Sequence, residues 1–279
     1  MTTSRKRAAE TKLRYIDLRS PEITSDIDLR SVRDYVASLL PAVNVRVLPP
    51  PHKGLSKSQL HRLAEHNATA RVRDPSRRTQ SAEPMYGEVD YELRVLSGKA
   101  KLGGVVYDGR KLAEAYADLL GTEQGLEVCS IVFTQRLVTT YSDDDLRHHL
   151  RTIVCGFPSV VSIPGVVEAP AKPRDYYFLR QQLEASGASQ LHLEELKSSF
   201  RGRFLDYGDP RIADVLRGLS LQAVMFHLTL RPFCDKISCR LFNAHWQEDL
   251  IKSQITSGEL CKKHADEIHE LGRSPSISW

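Results

Sequence analysis

The spacing of apolar residues along the first half of the chain predicts both helices and strands. Apolar residues fall on one helix face over residues 31–40 and 111–120, where Pro41 and Gly121 end the two patterns. Alternating or continuous apolar runs indicate strands over 44–48, 126–137 and 150–163. The first half therefore mixes the two kinds of element.

The second half of the chain is predicted to be mostly helical. Helix spacing covers residues 175–185, 192–200 and 210–228. Within the polar segment 52–84, the pattern indicates only a short helix around 59–66 and otherwise a mobile loop. The pattern as a whole is typical of an α+β fold.

Changes in composition divide the chain into three predicted parts. Residues 1–30 form a basic N-terminal segment, 31–265 a single α+β domain, and 266–279 a tail. Within the domain, residues 227–265 form a candidate zinc-binding part. The last residues, 274–279, are expected to be loose.

Composition and charge exclude several classes of protein. The chain has 279 residues, 41% of them hydrophobic and 27% charged, and a formal net charge of +4, which excludes global disorder and fibrous classes. No apolar run is long enough to cross a membrane, and the basic N-terminus is not followed by the apolar segment of a secretory signal. We therefore expect a cytoplasmic protein with reduced cysteines.

Positive charge is concentrated near the N-terminus. The first 80 residues contain 16 Lys and Arg against 8 Asp and Glu. These charges are scattered without interleaved aromatic residues, so the pattern favours a solvated surface over a nucleic-acid interface. The sequence gives no indication of the oligomeric state.

Two short-spaced pairs of metal-binding residues lie near the C-terminus. Cys234 and Cys239 are separated by four residues, Cys261 and His264 by two, and the pairs by 21. Three thiolates and one imidazole at such spacings are typical of a closed structural zinc site. Incidental buried cysteines, a disulfide or an iron–sulfur cluster remain as alternatives. The other two cysteines, at 129 and 155, lie in apolar strand patterns and are expected to pack in the core.

The residues around the first pair resemble the signature of the archaemetzincins. The segment His227-Leu-Thr-Leu-Arg-Pro-Phe-Cys234, followed by Cys239-Arg-Leu-Phe-Asn243 and Cys261-x-x-His264, is similar to HExxHxxGxxH-C-x4-C-x-M and a later C-x-x-C. This resemblance implies a metzincin-like mixed sheet, a structural zinc held by the two pairs, and the function of a zinc metallopeptidase whose catalytic zinc is bound by three histidines.

The chain departs from this signature at the positions that carry the chemistry. With His227 aligned to the second histidine, the remaining family positions are occupied by Ala223 (first histidine), Val224 (glutamate), Leu230 (glycine), Phe233 (third histidine) and Leu241 (methionine). A hydrolytic zinc needs about three protein ligands, a water and a base. The resemblance therefore implies a metallopeptidase with a degenerate or non-standard catalytic site.

Residues outside the aligned positions could also contribute to a catalytic site. His227, His148, His149 and Glu168 are candidate catalytic residues, although a core or surface role is the competing interpretation for each histidine. The competing function is a non-catalytic, zinc-stabilised protein that binds a peptide or a protein partner. Phosphate-binding glycine loops are absent, which argues against a nucleotide cofactor.

Overall fold

A computed structural model of the chain describes residues 11–23, 27–78, 83–121 and 125–279. In chain order its elements are β1 (Tyr15–Arg19), α1 (Leu29–Leu39), β2 (Asn44–Leu48), α2 (Lys57–Thr69), α3 (Tyr86–Leu96), β3 (Val106–Asp108), α4 (Gly109–Leu120), β4 (Val128–Thr134), β5 (Leu137–Ser142), β6 (Arg147–Arg151), β7 (Ile153–Val154), β8 (Ser159–Ser162), α5 (Ile163–Glu168), α6 (Arg174–Ala185), α7 (Gln190–Ser199), α8 (Ile212–Thr229), α9 (Gln247–Ile251) and α10 (Lys262–Arg273). A π-helical turn, Lys252–Ser257, follows α9 directly.

The strands form two mixed sheets. The larger sheet has the order β2-β1-β4-β8-β7, and its strands are parallel except for β7, which pairs antiparallel with β8 at one edge. The smaller sheet has the order β3-β5-β6, with β3 and β5 parallel and β5 and β6 antiparallel. The predicted α+β class with a mixed sheet is therefore confirmed.

The larger sheet is covered by helices on both faces, and the side chains of β4 show why. Ile131 and Phe133 point to one face, where they belong to a core cluster that includes residues of α1 and α8. Val132 points to the other face and packs in a second cluster with residues of α2, α3 and α4. Burial of each of these side chains contributes about 1.5–3 kcal/mol to folding. Because β4 contributes side chains to both clusters, it links the two halves of the core.

Helix α8 is buried along most of its length and carries the chain to the candidate zinc-binding part. Residues from Ile212 to Leu228 pack along one side of the helix in the cluster that includes α1 and the large sheet. Leu221 and Met225 belong to a separate cluster with Leu241 and Ile268. At Gly218 the helix backbone closely approaches the side chain of Gln254, where an added Cβ would come within 1.7 Å of the amide oxygen. The absence of a side chain at Gly218 thus allows the π-helical turn to pack on α8.

Most of the predicted elements are present, and two that the pattern missed are informative. The predicted helices correspond to α1, α2, α4, α6, α7 and α8, and the strand over 44–48 is β2. No pattern predicts α3, or β1 inside the segment 1–30. In β1 the charged residues Asp17 and Arg19 are both buried, and Arg46 of β2 forms two hydrogen bonds with Asp17 at 2.7 and 2.8 Å. Buried charges hide the apolar signature of this strand.

Two other expectations are wrong. The run over 150–163 is not one strand, because the chain turns between β7 and β8 and enters α5 at Ile163. The tail is not loose either: the Leu13 N–H donates to Pro275 O at 2.8 Å, and the Ser278 N–H donates to Leu228 O at 2.9 Å. Among the described residues, no helix combines the length and the apolar character that a transmembrane span requires.

Candidate metal centre

The first pair of candidate ligands lies in a tight loop just after α8. The C-cap residue of the helix is Leu230, whose φ of 55° places it in the left-handed region that favours glycine. This is the position that aligns with the glycine of the archaemetzincin signature. Beyond it, the Cys234 N–H donates to Leu241 O at 2.9 Å and the Cys239 N–H to Lys236 O at 2.8 Å. These bonds close the loop and turn both thiols to its inner side.

The second pair lies at the start of α10. Cys261 is the N-cap residue and His264 is the third residue of the helix. Residues three apart at a helix start lie on the same side, which is why the Cys261 Sγ and His264 Nδ1 atoms are only 3.2 Å apart. A spacing of two intervening residues is therefore enough to present two donors together.

The residues between the pairs hold the two loops against each other. Gln254 Nε2 donates to Arg240 O at 2.7 Å, and Arg240 Nη2 donates to Gln254 O at 2.9 Å. The Arg240 N–H also donates to Glu259 O at 2.7 Å, just before Cys261. These buried hydrogen bonds fix the distance between the loop of the first pair and the start of α10.

The four predicted ligands converge. Cys234 Sγ is 3.9 Å from Cys261 Sγ, Cys239 Sγ is 3.7 Å from His264 Nδ1, and all four donor atoms lie within 4.8 Å of one another. In a tetrahedral zinc site with bonds of about 2.3 Å to sulfur and 2.0–2.1 Å to nitrogen, donors are about 3.5–3.8 Å apart. The donor set fits a zinc ion in both chemistry and spacing.

The protein environment favours the ligand forms of some of these groups. Burial lowers the pKa of His264, which favours the neutral imidazole that a metal ligand requires. Burial acts to raise the pKa of Cys261, but hydrogen bonds from the His264 N–H and the neighbouring thiols outweigh it and lower the pKa. Burial raises the pKa of Cys239 to about 11, so a bound cation would be needed to hold it as a thiolate.

His227 does not face the cluster or a second histidine. Its side chain is buried, at 3% exposure, and Nε2 donates to Leu126 O at 2.8 Å. The ring packs edge-on against Phe157, with 5.3 Å between centroids, and Trp279 Nε1 donates to the His227 carbonyl at 2.9 Å. Among the described residues, the Cys/His cluster is the single group of three or more potential ligands. His227 thus has the contacts of a core histidine.

The remaining catalytic candidates do not form a group of potential metal ligands. His148 Nδ1 is hydrogen-bonded to Thr139 Oγ1 at 2.9 Å, and His149 Nε2 is paired with Asp145 at 2.8 Å. Glu168 is the last residue of α5 and lies near Tyr207. Burial raises the pKa of Tyr207 to about 12, and the negative charge of Glu168 contributes to this increase. The structure does not gather these residues into one group.

A cavity of about 370 Å³ lies beside the edge strand β7, and two of the residues that line it were not candidates from the sequence. Arg110 from the first turn of α4 and Arg151 from the end of β6 line it, together with Phe233 and His245. The two arginines are 41 positions apart and lie on different elements, so no local spacing could have indicated that they share a cavity.

Comparisons with known proteins identify a family for the chain. The model of the probable metallopeptidase family DUF6775 matches residues 12–271. The structure of archaemetzincin from Methanopyrus kandleri is similar with a TM-score of 0.44 at 10% identity, over 96% of this chain and 98% of that chain. A zinc-dependent peptidase from Methanocorpusculum labreanum gives a TM-score of 0.39 at 12% identity, over 91% and 99%. No curated protein sequence matches.

The family match covers nearly the whole chain, from before β1 to within α10, and so includes all four residues of the Cys/His cluster. The chain belongs to the probable metallopeptidase family DUF6775.

Proposed function

We propose that this metallopeptidase-family protein binds one structural zinc ion through Cys234, Cys239, Cys261 and His264, and that its hydrolytic site is degenerate. The convergence of the four donor atoms within 4.8 Å carries the proposal. Three sulfur ligands and one nitrogen ligand fill a tetrahedral shell and leave no position for a substrate or a reactive water. When bound, such an ion would cross-link the loop after α8 to the start of α10 and would not catalyse hydrolysis.

The surroundings of the cluster support a structural role. The adjoining core is small, with Leu221, Met225, Leu241 and Ile268 as its buried residues apart from the cysteines. Structural zinc contributes on the order of 10 kcal/mol to the folding of small motifs. The ion would therefore hold α10 and the chain after α8 against the rest of the domain.

A second, hydrolytic zinc does not fit the residues present. Of the three aligned histidine positions only His227 keeps an imidazole, and its Nε2 is hydrogen-bonded to a backbone carbonyl. Ala223 is fully buried and offers no donor, and Phe233 places an apolar ring, 41% exposed, where the third ligand would stand. At the position of the signature's glutamate this chain has Val224, which offers no carboxylate to act as a base. No hydrolytic step can be derived from these side chains.

A second candidate function is the binding of a peptide without cleavage. The cavity beside β7 supports it, because Phe233, at the aligned position of the third histidine, lines this cavity while no described cluster of metal donors does. A substrate cleft would thus remain where the hydrolytic metal is lost. We also propose a cytoplasmic location, since a reducing compartment keeps the cluster's thiols free for a metal.

Metal analysis combined with a cleavage assay tests the proposal. Purified protein should contain one zinc per chain, and a fluorogenic peptide library should show no cleavage that a chelator abolishes. Two zinc ions per chain with chelator-sensitive cleavage would overturn the degenerate site. A chain without stoichiometric zinc would overturn the structural site.

A further inference from the structure

The cavity beside β7 has an unusual balance of charge. Among the described residues, its lining contains two arginines, Arg110 and Arg151, and one histidine, His245, and no Asp or Glu. A concave surface lined by cations concentrates a positive potential.

Arg151 is held in place with its charge unpaired. Its Nε donates to Thr140 Oγ1 at 2.7 Å, and the side chain is partly buried. Among the described residues it forms no ion pair. Burial lowers the pKa of Arg151, and the nearby positive charge of Arg110 lowers it further, with Asp145 opposing. A positive group so placed gains from an anion that enters the cavity.

Arg110 provides a second cation from another element. Its backbone N–H, at the start of α4, donates to the N-cap residue Asp108 at 3.0 Å, which fixes the backbone of this turn. Arg110 is exposed and, within the described ranges, has no carboxylate partner. The positive charge of Arg110 disfavours the charged form of Arg151, and an anionic ligand bound by both guanidinium groups would offset this repulsion.

The outer edge of β7 indicates the kind of molecule that carries the anion. β7 is the last strand of the larger sheet, and its residues Ile153 and Val154, whose side chains are buried, pair with β8 and also line the cavity. A strand at the edge of a sheet can pair with an extended peptide through its backbone groups. The cavity volume of about 370 Å³ is suited to one or two side chains of such a peptide and not to a folded domain.

We propose that this cavity binds a carboxylate side chain of a peptide ligand through the guanidinium groups of Arg110 and Arg151. The inference rests on the proposed function in taking a peptide as the occupant. It names the ligand class as acidic peptides, and it assigns Arg110 and Arg151 as specificity-determining residues.

Binding of two matched peptides tests the proposal. The probes are fluorescein-labelled, C-terminally amidated heptapeptides of Ala and Gly with a central Glu or a central Gln, measured by fluorescence anisotropy on the full chain. The Glu peptide should bind at least about tenfold more tightly, because a hydrogen-bonded charge pair is lost with Gln. Its affinity should fall as NaCl is raised. Equal affinity for the two peptides, or no binding of either, would overturn the proposal.

Variants connect the preference to the two residues. Arg110→Gln and Arg151→Gln should each remove most of the tenfold preference, whereas Arg151→Lys should keep part of it. Arg147→Gln is the matched control, since Arg147 lies on the same strand, pairs with Asp145 at 2.7 Å and does not line the cavity. If the control lost the preference as strongly as Arg110→Gln and Arg151→Gln, the assignment would be wrong.

Two further measurements separate this proposal from its alternatives. Inorganic phosphate at millimolar concentration serves as a competitor. If phosphate bound the Arg110–Arg151 pair while the Glu peptide showed no advantage over the Gln peptide, the cavity would be a phosphate site instead. Zinc content is measured on every variant and should remain one per chain. A Glu preference in a protein without zinc would refute the structural zinc and leave this inference standing.

Discussion

Replacing Cys261 by serine isolates the contribution of the metal to stability. Cys261 is the most exposed of the three cysteine ligands, whereas Cys234 and Cys239 are buried. A hydroxyl at this position therefore costs little by its own burial, and the main consequence of the substitution is the loss of one of the four proposed ligands.

The magnitude follows from what the ion contributes. Structural zinc motifs gain about 10–16 kcal/mol from the metal, and losing one thiolate of four should remove on the order of 3 kcal/mol or more. For a large domain, 1 kcal/mol corresponds to about 2–4 °C in Tm. We therefore expect Cys261→Ser to lower Tm by about 6–12 °C.

The assay is thermal unfolding of zinc-loaded protein, with zinc measured by mass spectrometry on the same samples. Cys155→Ser is the matched control, because Cys155 is also partly buried and lies outside the cluster. The control should keep one zinc and a Tm near that of the natural protein. The reasoning is refuted if Cys261→Ser keeps both its zinc and its Tm, or if the two variants lose stability equally.

Three other substitutions test separate parts of the structure. Leu230→Gly should raise the free energy of unfolding by about 0.5–1 kcal/mol in urea titrations, since glycine adopts positive φ without strain and Leu230 is 42% exposed; a loss of stability would show that the leucine side chain matters more. Arg136→Met should cost about 3–5 kcal/mol in the same assay, because it leaves the buried carboxylates of Glu22 and Glu92 without their cation; a cost below about 1 kcal/mol would contradict this. Burial lowers the pKa of His227, despite its hydrogen bond to Leu126 O, so the unfolded chain binds a proton more readily and stability falls as pH drops below about 6.5. His227→Gln should therefore reduce the loss of Tm between pH 7 and pH 5, and an unchanged loss would show that His227 is not the titrating group.

The cluster of four ligands could be predicted because its determinants are local. Each pair occupies one loop or one helix start, so the short spacing within Cys234–Cys239 and within Cys261–His264 already implies that the donors face together. Only the meeting of the two pairs depends on the tertiary fold, through the Arg240–Gln254 hydrogen bonds. The binding of zinc itself stays a prediction.

The parts that could not be predicted depend on contacts between distant segments. Strand β1 carries buried charges whose partner, Arg46, lies on another strand, so its pattern does not resemble an apolar strand. The C-terminal tail pairs with the chain near Leu13, which no local signal indicates. Arg110 and Arg151 likewise meet only through the packing of α4 beside the small sheet.

Zinc X-ray absorption spectroscopy of the purified protein tests the central claim most directly. We expect one zinc per chain with three sulfur neighbours at about 2.3 Å and one nitrogen neighbour at about 2.0–2.1 Å. A zinc shell dominated by nitrogen and oxygen, or a protein that purifies without zinc and does not take it up, would contradict the assignment of Cys234, Cys239, Cys261 and His264 as its ligands.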